Sequence, residues 1–176
     1  MLSPINSIID TPRTQLHCCE LPLLHAAIEG EDVLAHHLNA VLVPNWSEFG
    51  NVMFHFALER VQPDPSLAQW YGYLPVNKQD RCLMGTCGFK GAPDEEGVVE
   101  IGYEIAAPYR NQGFATELAT ALVRHAFGTG KVTKVLAHTL PEPNASTRVL
   151  QKCGFTFSGT VDDPEDGPVW RWVLEK

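Results

Sequence analysis

Nowhere in the 176 residues is there an unbroken apolar run of the roughly 18 residues that a membrane-crossing helix needs. Cysteine is scarce and awkwardly placed: there are five, an odd number, and Cys18 and Cys19 are adjacent. That argues against a disulfide framework and for a reducing compartment. Cys82 and Cys87 are not spaced as CxxC, and no His pair follows at finger spacing. No metal site is therefore expected, and the thiols read as buried and inert. Positive charge is also short, with 13 Lys and Arg against 21 Asp and Glu and a net charge of -8. Such a surface repels nucleic-acid phosphates and anionic membranes, so neither is an expected partner, while it attracts cations such as an ammonium substrate. The first residues lack the basic start and apolar block of a secretion signal. Residues 1–13 read as a lead-in, residues 14–176 as one domain, and the expected location is cytoplasmic.

What is present is ordinary globular material: apolar residues make up 44% and charged residues 19%, enough for a core without staples. A short strand is expected over 14–21. Helical spacing follows over 23–29 and 32–42, separated by Gly30 and stopped by Pro44. A third helix is expected over 47–61, capped by Ser47 and ended by Pro63 and Pro65. The period then changes to strands over 69–76, 82–89 and 98–106. A long helix over 112–127 is closed by Gly128 and Gly130. Strand 134–139, helix 144–152, and strands 155–161 and 169–174 complete a mixed α/β domain.

The segment Val99-Glu100-Ile101-Gly102-Tyr103-Glu104-Ile105 leads through a short turn into Arg110-Asn111-Gln112-Gly113-Phe114-Ala115-Thr116-Glu117. A strand, a turn and a helix start offer unpaired N–H groups and a positive dipole end, which together bind anions. Gly113 and Ala115 let a phosphate approach the backbone, and Arg110 adds charge at the mouth. GxGxxG is absent here, and Gly128-Thr129-Gly130-Lys131 lacks the following Ser or Thr of a phosphate loop, so it reads as a helix stop.

Arg110-Asn111-Gln112-Gly113-Phe114-Ala115 resembles the Arg/Gln-x-x-Gly-x-Gly/Ala signature of the GNAT superfamily of N-acetyltransferases. Glu100-Ile101-Gly102-Tyr103 is similar to the family's fourth strand, and Asn144 through Phe155 to its last helix with the Gly-Phe exit. The resemblance runs from about Thr14 to Leu174, closest to the branch of ribosomal-protein N-terminal acetylases. It implies a single-domain α/β (α+β) fold with a mixed, mostly antiparallel sheet of six to seven strands. It also implies acetyl-CoA as cosubstrate, no metal, and direct transfer of the acetyl group to a primary amine, either a protein N-terminus or a small molecule.

On that resemblance Ile105, Arg110, Asn111, Gln112, Gly113, Phe114, Ala115, Thr116 and Asn144 are the expected coenzyme A contacts. Glu100 is the expected general base. Glu104 shares its strand face by period-two alternation and is the second candidate, as base or as ammonium anchor. Two carboxylates on one face repel, which suits a base working near neutral pH. Ser146 matches a serine near the departing sulfur, or it caps the helix. Asn144 is offset by one from the family's asparagine, whose place Pro143 takes. Leu150 stands where many relatives place a general-acid tyrosine, so the proton donor is unassigned. Trp46 or Phe49 would shape the acceptor side. The competing expectation is a non-catalytic acyl-CoA-binding module, and oligomeric state is left open.

Overall fold

Along the chain, β1 (Ile8–Asp10) and β2 (Thr14–Cys18) form a hairpin. Helices α1 (Leu21–Glu29) and α2 (Glu31–Leu38), strand β3 (Val41–Leu42) and helix α3 (Gly50–Val61) follow. Strands β4 (Tyr73–Asn77), β5 (Cys82–Leu83), β6 (Gly85–Phe89) and β7 (Val98–Ile105) come next. Helix α4 (Phe114–Gly128), strand β8 (Lys134–Thr139), helix α5 (Ala145–Lys152) and strands β9 (Thr156–Asp163) and β10 (Gly167–Glu175) complete the chain. This computed structural model describes residues 7–176; residues 1–6 of the expected lead-in lie outside them.

The sheet runs β1-β2-β4-β6-β7-β8-β10-β9, with β3 and β5 at its side. Nearly every pairing is antiparallel; β7 with β8 and β3 with β5 are parallel. Strand β7 changes partner along its length. It pairs with β8 only over Val98–Glu100, and with β6 over Ile101–Ile105. Beyond Glu100 the β8-facing edge of β7 carries no ladder, and the two strands part into a wedge.

The two faces of β7 look at different layers. Tyr103 is opposite Cys87 and Ile101 opposite Phe89, and Phe89 touches His125 of α4. The odd-numbered side chains therefore face α4, where Leu118, Leu122 and Ala126 are buried. Glu100, Gly102 and Glu104 face the opposite layer, as period two requires. His125 is enclosed by Trp70, Tyr73 and Phe89, and burial holds its pKa below the ordinary 6.5.

Several boundaries differ from the expectation. Helix α2 stops at Asn39, which turns left-handed at φ 46, well before Pro44, and the residues after it form β3. Helix α3 opens at Gly50 because the Ser47 hydroxyl is engaged by the Phe49 N–H (3.2 Å) in a turn ahead of it. The strand expected over 82–89 is broken at Met84, whose N–H bonds Pro75 instead. The aromatic stretch 69–76 begins as a tight helical turn, Pro65–Trp70, before Tyr73 enters the sheet. Short strands β1, β3 and β5 raise the total to ten among the described residues.

The five cysteines are free, and Cys18, Cys19 and Cys87 are buried. Burial pushes the Cys18 thiol up to about 12, which keeps it protonated and unreactive. Among the described residues no helix is long and apolar enough to cross a membrane, and no cluster of three His, Cys, Asp or Glu is poised for a metal.

Candidate active site

A cavity of about 530 Å³ opens between β7, the start of α4 and the start of α5. Its walls carry most of the residues that the sequence singled out: Glu104, Ile105, Arg110, Asn111, Gly113, Phe114, Ala115, Thr116 and Ser146. Gln112 is exposed and braces the preceding turn, donating from its side chain to the Pro108 carbonyl (2.8 Å). Glu100 and Asn144 do not line the cavity.

The floor of the cavity is made by backbone. Asn111 (φ 59) and Gly113 (φ 81) are both left-handed, which turns the chain sharply into α4. Among the described residues, the backbone N–H groups of residues 111 to 116 donate no hydrogen bond. Free backbone donors in a row at a helix start are groups of the kind that bind anions. The turn is held rigid from behind. Tyr109 donates to Asp80 (2.8 Å) and stacks edge-on against Phe114. Arg110 donates its Nε to the Ile105 carbonyl (2.7 Å), leaving the rest of its guanidinium at the mouth.

A second brace comes from the amino end. Glu117, in the first turn of α4, accepts from Thr11 Oγ1 (2.6 Å), Arg13 N (2.9 Å) and Arg13 Nε (2.7 Å). Arg13 also donates to the Gln112 carbonyl (2.9 Å) and lies over the Phe114 ring (4.1 Å). Partial burial alone would raise the Glu117 pKa. The bonds from Thr11 and Arg13 outweigh it and hold the carboxyl below the ordinary 4.5. A depressed carboxyl pKa contributes stability that is fully present above pH 4.5 and is lost as pH falls through the folded value. Glu117→Gln is expected to cost about 1–3 kcal/mol and to flatten this acid dependence, as measured by urea unfolding across pH 3 to 6, approximately.

The two carboxylates of β7 have different surroundings. Glu100 Oε1 is taken by Lys90 Nζ (2.5 Å) and by His138 Nδ1 (2.9 Å). Arg171 Nε donates to His138 Nε2 (3.3 Å), so both ring nitrogens of His138 are engaged. Glu104 is less encumbered. One oxygen accepts a long bond from the Glu48 N–H (3.4 Å), and the other is buried without a partner. Gly85, opposite Ile105, lets the end of β7 approach closely: a Cβ there would lie 2.1 Å from the Glu104 backbone carbonyl, at a φ of +140°.

Helix α5 supplies the far wall. Asn144 Oδ1 accepts from the Thr147 N–H (3.0 Å), and Thr147 Oγ1 accepts from the Asn144 N–H (3.0 Å), a complete capping box. Asn144 is thus the cap, and Ser146 faces the cavity. Of the two aromatics expected to shape the acceptor side, Trp46 is buried, tilted against Phe54 and donating to Glu31 (3.0 Å), whereas Phe49 is 64% exposed.

Sequence reasoning missed four residues at this site. Arg148 and Lys152 line the cavity and are four apart on α5, a spacing that would have put them on one face. Tyr103 also lines it, and strand parity opposite Glu104 was the available signal. Arg13, about a hundred residues from α4 in the chain, left none.

The family model for the acetyltransferase (GNAT) domain matches residues 29–156, well over half of the chain. YjdG of Bacillus subtilis, an uncharacterized N-acetyltransferase, is 27% identical over 86% of this chain and 90% of its own length. The ribosomal-protein-S5-alanine acetyltransferase of Vibrio fischeri shares the fold with a TM-score of 0.70, at 14% identity and 96% coverage of both chains. The microcin C7 self-immunity acetyltransferase MccE, solved with acetyl-CoA and AMP, does so with a TM-score of 0.68, at 12% identity over the full length of both. With the family model matching most of the sequence, the chain belongs to the GNAT family of acetyltransferases.

Proposed function

We propose that this chain transfers the acetyl group of acetyl-CoA to a primary amine, with Glu104 as general base. The observation that carries the reading is the row of six free N–H groups opening into the wedge between β7 and β8. The residues fit the cosubstrate. Residues 111 to 116 would hold its diphosphate through backbone donors, and Arg110, Arg148 and Lys152 would add charge that offsets the acidity of the whole chain. The unpaired edge of β7 would take the pantetheine arm alongside it, as a strand takes a neighbour.

When bound, acetyl-CoA supplies an electrophilic thioester carbonyl. The amine arrives as an ammonium ion and must lose a proton before it attacks. Glu104 stands at the cavity on the side of the exposed Glu48–Phe49 turn, with one oxygen free to accept it. Glu100, tied to Lys90 and His138, is better placed to fix the strand than to shuttle protons, so the expected order of the two carboxylates is reversed in this reading. The negative field of the chain draws ammonium groups toward the site.

The acceptor is a protein N-terminus or a small-molecule amine. Release of free thiol from acetyl-CoA, across a panel of peptides with free N-termini and of small amines, tests the reading. Mass spectrometry of the product shows which acceptor class is used. Thiol release with at least one class is expected. Tight coenzyme A binding with no release across the panel would leave the acyl-CoA-binding module instead.

A further inference from the structure

We infer that the Tyr103 hydroxyl, with Ser146 beside it, donates the hydrogen bonds that stabilise the sulfur of coenzyme A as it departs. This rests on the acetyl-transfer reading above. As the C–S bond breaks, its electron pair goes to sulfur, and a donor aimed at that growing charge stabilises it. Helix α5 offers none at Leu150, which is apolar and only 1% exposed.

Tyr103 lies on the α4-facing side of β7, in the stretch that β8 has left, and lines the cavity. Its hydroxyl oxygen is buried and has no hydrogen-bond partner. An unsatisfied buried hydroxyl costs about 1–3 kcal/mol and calls for an explanation. Ser146 and Cys153 are its polar neighbours. Ser146 lines the same cavity, and its hydroxyl is not needed as a cap because Asn144 and Thr147 close that box. The two hydroxyls are therefore neighbours with no partner outside this pair, beside the unpaired edge that would carry the thioester.

Burial raises the Tyr103 phenol well above the ordinary 10, a rise that Ser146 only partly offsets. A thiol ionises near about 8.5, so handing over the phenolic proton is uphill, and Tyr103 acts by hydrogen bonding alone. The step balances without it. The nitrogen bonds to the carbonyl carbon, its protons leave through Glu104 to water, and the thiolate takes one proton from water on release.

The test is the acidity of the thiol in the coenzyme A complex, followed by thiolate ultraviolet absorbance, with the desulfo-coenzyme A complex subtracted to remove protein thiols and phenols. Glu104, Arg110, Arg148 and Lys152 line the same cavity and Cys153 neighbours Tyr103, and all five are common to both proteins compared. In Tyr103→Phe the bound thiol is expected to be about ten-fold less acidic than in the wild type, one pH unit. Ser146→Ala should shift it less, in the same direction. Tyr103→Phe keeps the ring and removes only an unpaired hydroxyl, so its thermal stability should match or exceed the wild type. Should it fail to fold, replacement of Tyr103 by a fluorotyrosine, a stronger donor, should make the bound thiol more acidic. Equal acidity in wild type and variant, with coenzyme A bound to both, overturns the assignment. Failure of the wild type to bind coenzyme A overturns the cosubstrate reading as well, and calorimetry tells the two failures apart.

Discussion

Gly113→Trp is expected to abolish measurable coenzyme A binding. Two effects act together. At φ 81 the backbone is left-handed, a conformation that costs an L-residue roughly 1–2 kcal/mol. The indole also needs room: Gly113 lines the cavity and the nearest atom to a Cβ there is Arg13 Nη2 at 3.5 Å, so the ring displaces Arg13 or enters the cavity. Gly113→Ala separates the terms: it carries the strain with almost none of the bulk, and should weaken binding by about ten-fold or so. Calorimetry with coenzyme A, alongside thermal melts of both variants, measures the contrast. Unaltered affinity in a folded Gly113→Trp protein would mean that the diphosphate sits elsewhere.

The second large effect is on turnover. Glu104→Gln preserves shape and removes the proton acceptor, so kcat should fall by about 10²- to 10⁴-fold while coenzyme A affinity hardly moves. Glu100→Gln should act differently. It strips Lys90 and His138 of their shared partner, so its main expected signature is lost stability, about 1–3 kcal/mol, with a smaller effect on rate. Measuring kcat and the unfolding midpoint for both variants distinguishes a base from a brace. A deeper rate loss in Glu100→Gln than in Glu104→Gln would return Glu100 to the role that strand position alone suggested.

The parts of this site that were readable in the sequence are those built from local pattern. Strand β8 falls at residues 134–139 as its alternation predicts, and the turn through Gly113 marks the start of α4 to within two residues. Parity placed Glu100 and Glu104 on one face of β7, and they share it. What escaped depends on partners far away in the chain. Nothing local says that Met84 will bond Pro75 and split a strand, or that Lys90 and His138 will claim Glu100. Ser146 was open between a cap and a place near the sulfur because serine caps helices; only the reciprocal bonds of Asn144 and Thr147 take the cap from it. Tyr103 was hidden in plain alternation, its meaning supplied by an apolar residue on another element.

The contact of Arg13 with Glu117 and the Gln112 carbonyl has a practical side. Trimming the amino end past this residue, or fusing a bulky handle just before it, would slacken a loop that is remote in sequence and show up as a poor Michaelis constant for the acyl donor. An apparently inert edit at one extremity would then be mistaken for damage to the catalytic motif itself.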